Sequence, residues 1–264
     1  MSTPPASSAP HTTNVLGILQ ARVSSSRLPG KVLKPILGVP MLRHQLDRVR
    51  RAQSMDAFIV ATSTDASDDA IDALCEAAGV GCFRGSLDDV LDRFYQAALP
   101  FNPQHVVRMT GDCPLIDPDL IDRLVEFYLA GDFDHAGNAV EPMFPDGLDV
   151  EVLRFQVLAY AWTHASLPSH REHVTLYVHQ SPDRFRIGSY RNVTDLSHLR
   201  WTVDEPEDFE LIRRIYEALY PKNSAFTTED ILALLSRQPD LLDLNRGFRR
   251  NEGLERSLAR EARP

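Results

Sequence analysis

An α/β fold with a mainly parallel central sheet and flanking helices is predicted by three observations. Short apolar runs recur at 15–19, 58–62, 80–83 and 105–109. Each is followed by a turn or capping signal and, in most cases, by apolar residues at helical spacing. The 264 residues are 43% hydrophobic and 25% charged, enough for one sizeable α/β core. Strand–helix alternation requires crossovers that return over the sheet. Ligands in such sheets bind beyond the carboxyl ends of the strands, so the loops after the first and fourth runs are expected on one rim.

The elements follow in order. Residues 15–19 form the first strand, and 19–31 a loop. Pro40 opens a helix with Leu42, Leu46 and Val49 on one face. After the strand at 58–62, Asp65 caps a helix with Ile71, Leu74, Cys75 and Ala78 inward, which Gly79 ends. After the strand at 80–83, Ser86 and Asp89 approximate a capping box ahead of Val90, Leu91 and Phe94. The fourth strand, 105–109, leads to a loop over 110–116. Asp117-Pro118 then starts a helix closed by Gly131. Beyond Glu141 prolines interrupt the pattern. Helices are expected at 155–164 and 171–179, strands at 184–190 and 199–203, and helices at 205–220 and 227–237.

The formal net charge is −9, which argues against a general binder of nucleic acid or anionic membrane. No apolar run reaches the length of a membrane span. Residues 1–14 lack the apolar region of a signal peptide and read as a disordered extension. The three cysteines stand outside any CxxC pattern and read as free thiols. A cytoplasmic protein is expected.

The segment LQARVSSSRLPGK, 19–31, is purely cationic, and the first acid in the chain is Asp47. A turn of backbone N–H groups with serine hydroxyls makes an anion-binding concavity. Arg22 and Arg27 suit bidentate contact with phosphate oxygens, and Lys31 a point charge. The spacing matches neither a P-loop nor a dinucleotide fingerprint. Asp112, in Thr110-Gly111-Asp112-Cys113-Pro114, and Asp204, in Val203-Asp204-Glu205-Pro206, each follow a predicted strand. Either alone reads equally well as a turn or helix cap. Brought within about 4 Å, two carboxylates repel by about 4 kcal/mol at an effective dielectric near 20. A Mg²⁺ between them would reverse that sign.

With these residues the chain resembles the sugar cytidylyltransferases that make CMP-activated KDO and sialic-type acids, most of all their spore-coat polysaccharide (SpsF) branch. The resemblance starts in LQARVSSSRLPGKVLKPILGVPMLRHQLDRV. It continues through RMTGDCPLID, FPDGLDVEV, REHVTLYV, RWTVDEPEDFELI and NRGFRRNEGLERSL, and spans about 15–257. It implies a Rossmann-like GT-A nucleotidyltransferase fold that binds CTP and Mg²⁺. By motif, Arg22, Arg27 and Lys31 would hold the triphosphate and act in catalysis. Asp112 and Asp204 would hold the metal. Ala21, Ser25, Ser26 and Thr110 would lie near the base and phosphates. KDO enzymes usually place Gln where this chain has Thr110. Related enzymes are dimers, so a homodimer is implied, with Leu232, Leu235, Leu241, Leu242 and Leu244 available to bury in an interface or on the sheet.

For the acceptor, Asp146, Asp149 and Glu151 surround a Pro-Gly turn, and Arg171 and His173 could bind an acidic group. Each also has a purely structural reading. His170 and His173 are three apart, but no third residue has zinc-ligand spacing. The domain expected is 15–220, with 140–200 serving acceptor or dimer contacts, followed by a helical arm at 221–264. The reading is Mg-dependent transfer of CMP from CTP to an acidic sugar, a nonulosonic or KDO-like acid of surface polysaccharide synthesis. Three alternatives stay open: another phosphorylated acceptor, a glycosyltransferase on the same nucleotide rim, and a non-catalytic nucleotide-binding subunit.

Overall fold

The computed structural model describes residues 14–262. The extension expected over 1–14 therefore lies, apart from Asn14, outside the described residues. Nine strands run β1 Val15–Gln20, β2 Pro35–Ile36, β3 Val39–Pro40, β4 Ala57–Ser63, β5 Gly81–Gly85, β6 His105–Thr110, β7 His135–Gly137, β8 Glu151–Arg154 and β9 Ile187–Ser189. The α-helices are α1 Met41–Val49, α2 Asp69–Ala78, α3 Val90–Ala98, α4 Pro118–Ala130 and α5 Phe155–His164. They continue as α6 Pro168–Glu172, α7 Leu176–His179, α8 Pro206–Leu219, α9 Thr228–Arg237 and α10 Glu252–Glu261.

Seven strands form one sheet in the order β5-β4-β1-β6-β8-β7-β9, with β2 and β3 a separate hairpin. β1 pairs parallel with β4 and β6, and β4 with β5. β8 pairs antiparallel with both β6 and β7, and β7 pairs parallel with β9. Only β8 runs against the rest, so the sheet is mostly parallel, as expected. Alternation along the strands divides the core in two. Leu19 and Val107 face one apolar layer, and Leu16, Ile18 and Val106 the other.

The chain leaves β1 toward β4 on one side and returns to β6 on the other, creating a switch point at their carboxyl ends. The two loops there touch. Gly111 N donates to Gln20 O at 2.7 Å, and a Cβ at Gly111 would come within 2.9 Å of the Ala21 Cβ. Only glycine permits this approach.

Three expectations are corrected. Residues 199–203 are buried but form no sheet strand. Trp201 N and Thr202 N donate to Asp146 O, and Val203 N to Asp112 O, so the segment ties two loops together instead of extending the sheet. The helix expected at 171–179 breaks at His173, whose φ of −108° and ψ of 63° are not helical, giving α6 and α7. The strand expected at 184–190 contracts to β9. The short β7, three residues long, carries too few positions to show alternation in sequence.

The leucines of the arm pack on the chain's own core, one of the two placements expected. Leu235 and Leu241 belong to the larger core, and Leu232, Leu242 and Leu244 pack against it. Leu232, Leu242 and Leu244 stay partly exposed.

Candidate active site

The basic loop is held by a residue far from it in sequence. Buried Asp68 accepts from Val23 N at 2.7 Å and from Ser63 N at 3.1 Å, joining the loop to the end of β4. Gly30 N donates to Val23 O and Leu28 N to Ser25 Oγ, closing the turn. Ala21, Arg22, Ser25, Ser26, Arg27 and Lys31 thereby line one wall of a cleft of about 430 Å³, in the range of small-ligand pockets.

The facing wall carries the acids. Lys31 Nζ donates to Asp204 Oδ1 at 2.9 Å, to Val203 O at 2.6 Å and to Asp112 Oδ2 at 3.4 Å. Arg27 reaches Asp204 Oδ1 at 2.9 Å and Glu205 Oε1 at 3.2 Å. The cations that stand unopposed in sequence are opposed in space. Burial disfavours the Lys31 ammonium, but Asp112 and Asp204 outweigh it and raise its pKa. Burial likewise works against the Asp112 charge, yet Lys31 and the Thr110 hydroxyl, 2.6 Å from Oδ1, bring its pKa down to about 2. The two carboxylates converge on one cation, and their hard oxygens suit a divalent ion such as Mg²⁺ or Mn²⁺.

Asp204 is set in place by two residues that the sequence reading did not single out. Asp208 sits at the third position of α8, fully buried, and its Oδ2 accepts from Asp204 N and Glu205 N, both at 3.0 Å. Arg200 donates Nε and Nη2 to Asp208 at 2.9 Å each and Nη2 to Asp204 Oδ2 at 3.3 Å. The capping box at Glu205–Asp208 was the available signal.

With His173, Asp146 and Asp149 also line the cleft. Gly147 lies between them at φ 106°, where a Cβ would fall 2.3 Å from Thr202 N. Arg200 Nη1 donates to Asp146 Oδ2 at 3.1 Å, and Arg250 pairs with Asp149. Burial, then Asp149, pushes Asp146 up to about 7 against the pull of Arg250 and Arg200. Burial also raises Asp149.

Two expected acceptor residues stand outside the cleft. Arg171 fixes α6 to the start of α3, donating Nε to both Asp89 oxygens at 2.9 Å and Nη1 to Trp162 O. Glu151 is covered by Arg108, His135 and His179. His173 does reach the cleft and meets Ser257 Oγ at 3.0 Å, whereas His170 pairs with Gln180 Oε1. The unforeseen contribution comes from the arm. α10 and the turn before it bring Arg249, Glu252, Arg256, Ser257 and Arg260 to the cleft wall.

The cytidylyltransferase family model matches residues 16–235. The Bacillus subtilis spore coat polysaccharide biosynthesis protein SpsF is 33% identical over 245 residues, covering 86% of this chain and 96% of that protein. A cytidylyltransferase from Leptospira borgpetersenii superposes with a TM-score of 0.84 at 29% identity, covering 90% of this chain and 99% of its own. A CMP:2-keto-3-deoxy-manno-octonic acid synthetase solved with CTP gives a TM-score of 0.60 at 19% identity, over 78% of this chain and 99% of its own. With the mostly parallel sheet and the cleft at its switch point, these matches establish that the chain belongs to the cytidylyltransferase family of nucleotidyltransferases.

Proposed function

We propose that the chain transfers CMP from CTP to an acidic sugar, a nonulosonic or KDO-like acid, releasing pyrophosphate for surface polysaccharide synthesis. The observation that carries this is the contact of Arg27 and Lys31 with Asp204 and Asp112 across one cleft. Each ion pair is the stand-in for a ligand contact. When a nucleotide binds, Arg27 and Lys31 exchange their carboxylates for phosphate oxygens. Arg22, exposed at the same wall, adds a third cation. Asp112 and Asp204, so released, would hold a Mg²⁺ ion, which supplies charge neutralisation at the α-phosphate.

The sugar hydroxyl attacks the α-phosphorus in line, the bond to the β-phosphate breaks, and Arg27 and Lys31 balance charge on the departing pyrophosphate. Such transfer rests on positioning and electrostatics, and no histidine base is assigned. Ala21, Ser25, Ser26 and Thr110 would contact the nucleotide. Asp146, Asp149 and His173 would contact the acceptor, and the arginines of the arm favour one that carries a carboxylate.

A cytoplasmic location is part of this reading, consistent with Cys75, Cys82 and Cys113 as free thiols. Among the described residues no helix is long and apolar enough to cross a membrane. A homodimer is part of this reading and rests on the family resemblance, the arm leucines packing at least in part on the chain's own core.

The test is a panel of nucleoside triphosphates against acidic sugars with Mg²⁺ present. Pyrophosphate release that requires CTP supports the reading. Release of a nucleoside diphosphate from a nucleotide sugar would support the glycosyltransferase instead, and no turnover with any pair would remove the proposal.

A further inference from the structure

Three side chains converge beneath the outer half of the sheet, apart from the carboxylates of the cleft. His135 Nε2 lies 3.1 Å from Glu151 Oε1, and His179 Nε2 lies 3.3 Å from the same oxygen. The two Nε2 atoms are 3.4 Å apart. The topology builds this cluster. Gly137 pairs with Glu151 and His135 with Leu153, so His135 and Glu151 project from one face of the β7–β8 pair at diagonal positions. Val178 packs α7 into the apolar layer that also holds Leu153, which brings His179 over them.

Hydrogen bonding alone does not account for the triangle. A ring nitrogen either donates or accepts, so at most two of the three contacts can be hydrogen bonds. The third sets like against like. A cation above the triangle uses one lone pair from every corner. Its size also fits. Tetrahedral bonds of about 2.05 Å put ligand atoms about 3.3 Å apart, and the observed edges run from 3.1 to 3.4 Å.

The surroundings favour a neutral His135 and an ionised Glu151. Burial lowers the His135 pKa and so favours the neutral ring. Burial opposes the charge on Glu151, but Arg108 above all holds the carboxyl well below its usual range. Arg108 grips Glu151 Oε2, leaving Oε1 turned to the histidines. This is the outer contact that orients a ligating carboxylate. The His135 side chain is fully enclosed while that of His179 is 31% exposed, so one side is open to solvent for the ion and a fourth ligand.

We propose that His135, Glu151 and His179 form a binding site for a zinc-class divalent transition-metal ion, distinct from the all-oxygen pair Asp112 and Asp204. Two imidazoles and one carboxylate are a softer donor set than two carboxylates, and three protein ligands with an open fourth position match zinc. Glu151 would link the ion to Arg108, which lines the cleft, so the ion acts as a positioning device for that wall. The site does not depend on the transfer reaction proposed above.

The test uses the full chain, stripped with a chelator and titrated with Zn²⁺ by calorimetry and with Co²⁺ by visible absorption. One equivalent should bind to the wild type, with the intense visible bands of low-coordinate Co²⁺. The same binding should persist in the D112N/D204N double variant. His179→Ala, at the open side, should weaken it by at least about 10–100-fold and should unfold at the wild-type temperature in chelator. His179→Gln serves as a second variant. A wild-type chain that takes up no Zn²⁺ at tens of micromolar overturns the proposal. So does binding unchanged in both His179 variants, or binding lost only in the double variant.

Discussion

Lys31 Nζ stands 2.9 Å from Asp204 Oδ1 and, from the same position, 3.4 Å from Asp112 Oδ2. One ammonium thus joins the loop after β1 to the two carboxylates of the facing wall, while Arg27 holds Asp204 from a second side. Lys31 and Arg27 neutralise these acids across the cleft, and in the function proposed above a metal-bound nucleotide would replace those contacts.

Replacing Lys31 with Met should expose the repulsion between Asp112 and Asp204. Two charges about 4 Å apart repel by about 4 kcal/mol at a dielectric near 20, and solvent in the cleft will reduce this. The variant should melt several degrees below wild type without divalent ions. Mg²⁺ or Mn²⁺ should then raise its melting temperature more than that of wild type, because no ammonium competes. Equal shifts in both proteins would show that Lys31 does not occupy the cation position.

Asp208→Asn should remove the fully buried carboxylate that pairs with Arg200 at two points and accepts from Asp204 N. Breaking a buried ion pair by removing one partner costs about 3–5 kcal/mol. Urea denaturation should show a loss of that order. A loss under about 1 kcal/mol would mean the network does not hold the α8 start in place.

Asp146 carries a pH dependence whose sign follows from its shift. Its folded pKa, pushed up to about 7 by burial and Asp149, lies above the unfolded value near 3.9. The folded state therefore keeps the proton more tightly. Stability from this group is fully present below about pH 4 and is lost as pH rises toward 7, by up to about 1.4 kcal/mol per unit. Asp146→Asn should lose less stability than wild type between pH 5 and pH 7. Parallel denaturation curves for the two proteins over that range would contradict the shift.

The strand–helix alternation was legible because most elements carry their own period and several carry their own cap. Asp89, Asp117 and Thr227 each cap the expected helix within three residues, whereas Asp65 caps the short 3-10 turn Ala66–Asp68 and not α2 itself. Arg27, Lys31, Asp112 and Asp204 stood out by residue type beside predicted strands. The rest depends on partners remote in sequence. Nothing near Val23 indicates that Asp68 holds it, and nothing near Asp149 points to Arg250. Residues 199–203 have the composition of a strand, but their N–H groups are taken by loop carbonyls. The arginines of 249–260 look like a solvated face until α10 is laid against the cleft. The arm leucines left the sheet and a partner both open, because sequence does not show which apolar surface is nearest.

The most direct test of the shared metal–nucleotide site is CTP affinity of wild type and Asp204→Asn, measured by calorimetry with and without Mg²⁺. Without the ion, the variant should bind CTP more tightly than wild type, since it lacks a carboxylate that competes for Arg27 and Lys31 and repels phosphate. With the ion, the order should reverse, because the variant has lost half of the carboxylate pair. The same order under both conditions, in either direction, would contradict a cleft in which Asp204 changes partners from the cations of the loop to the metal.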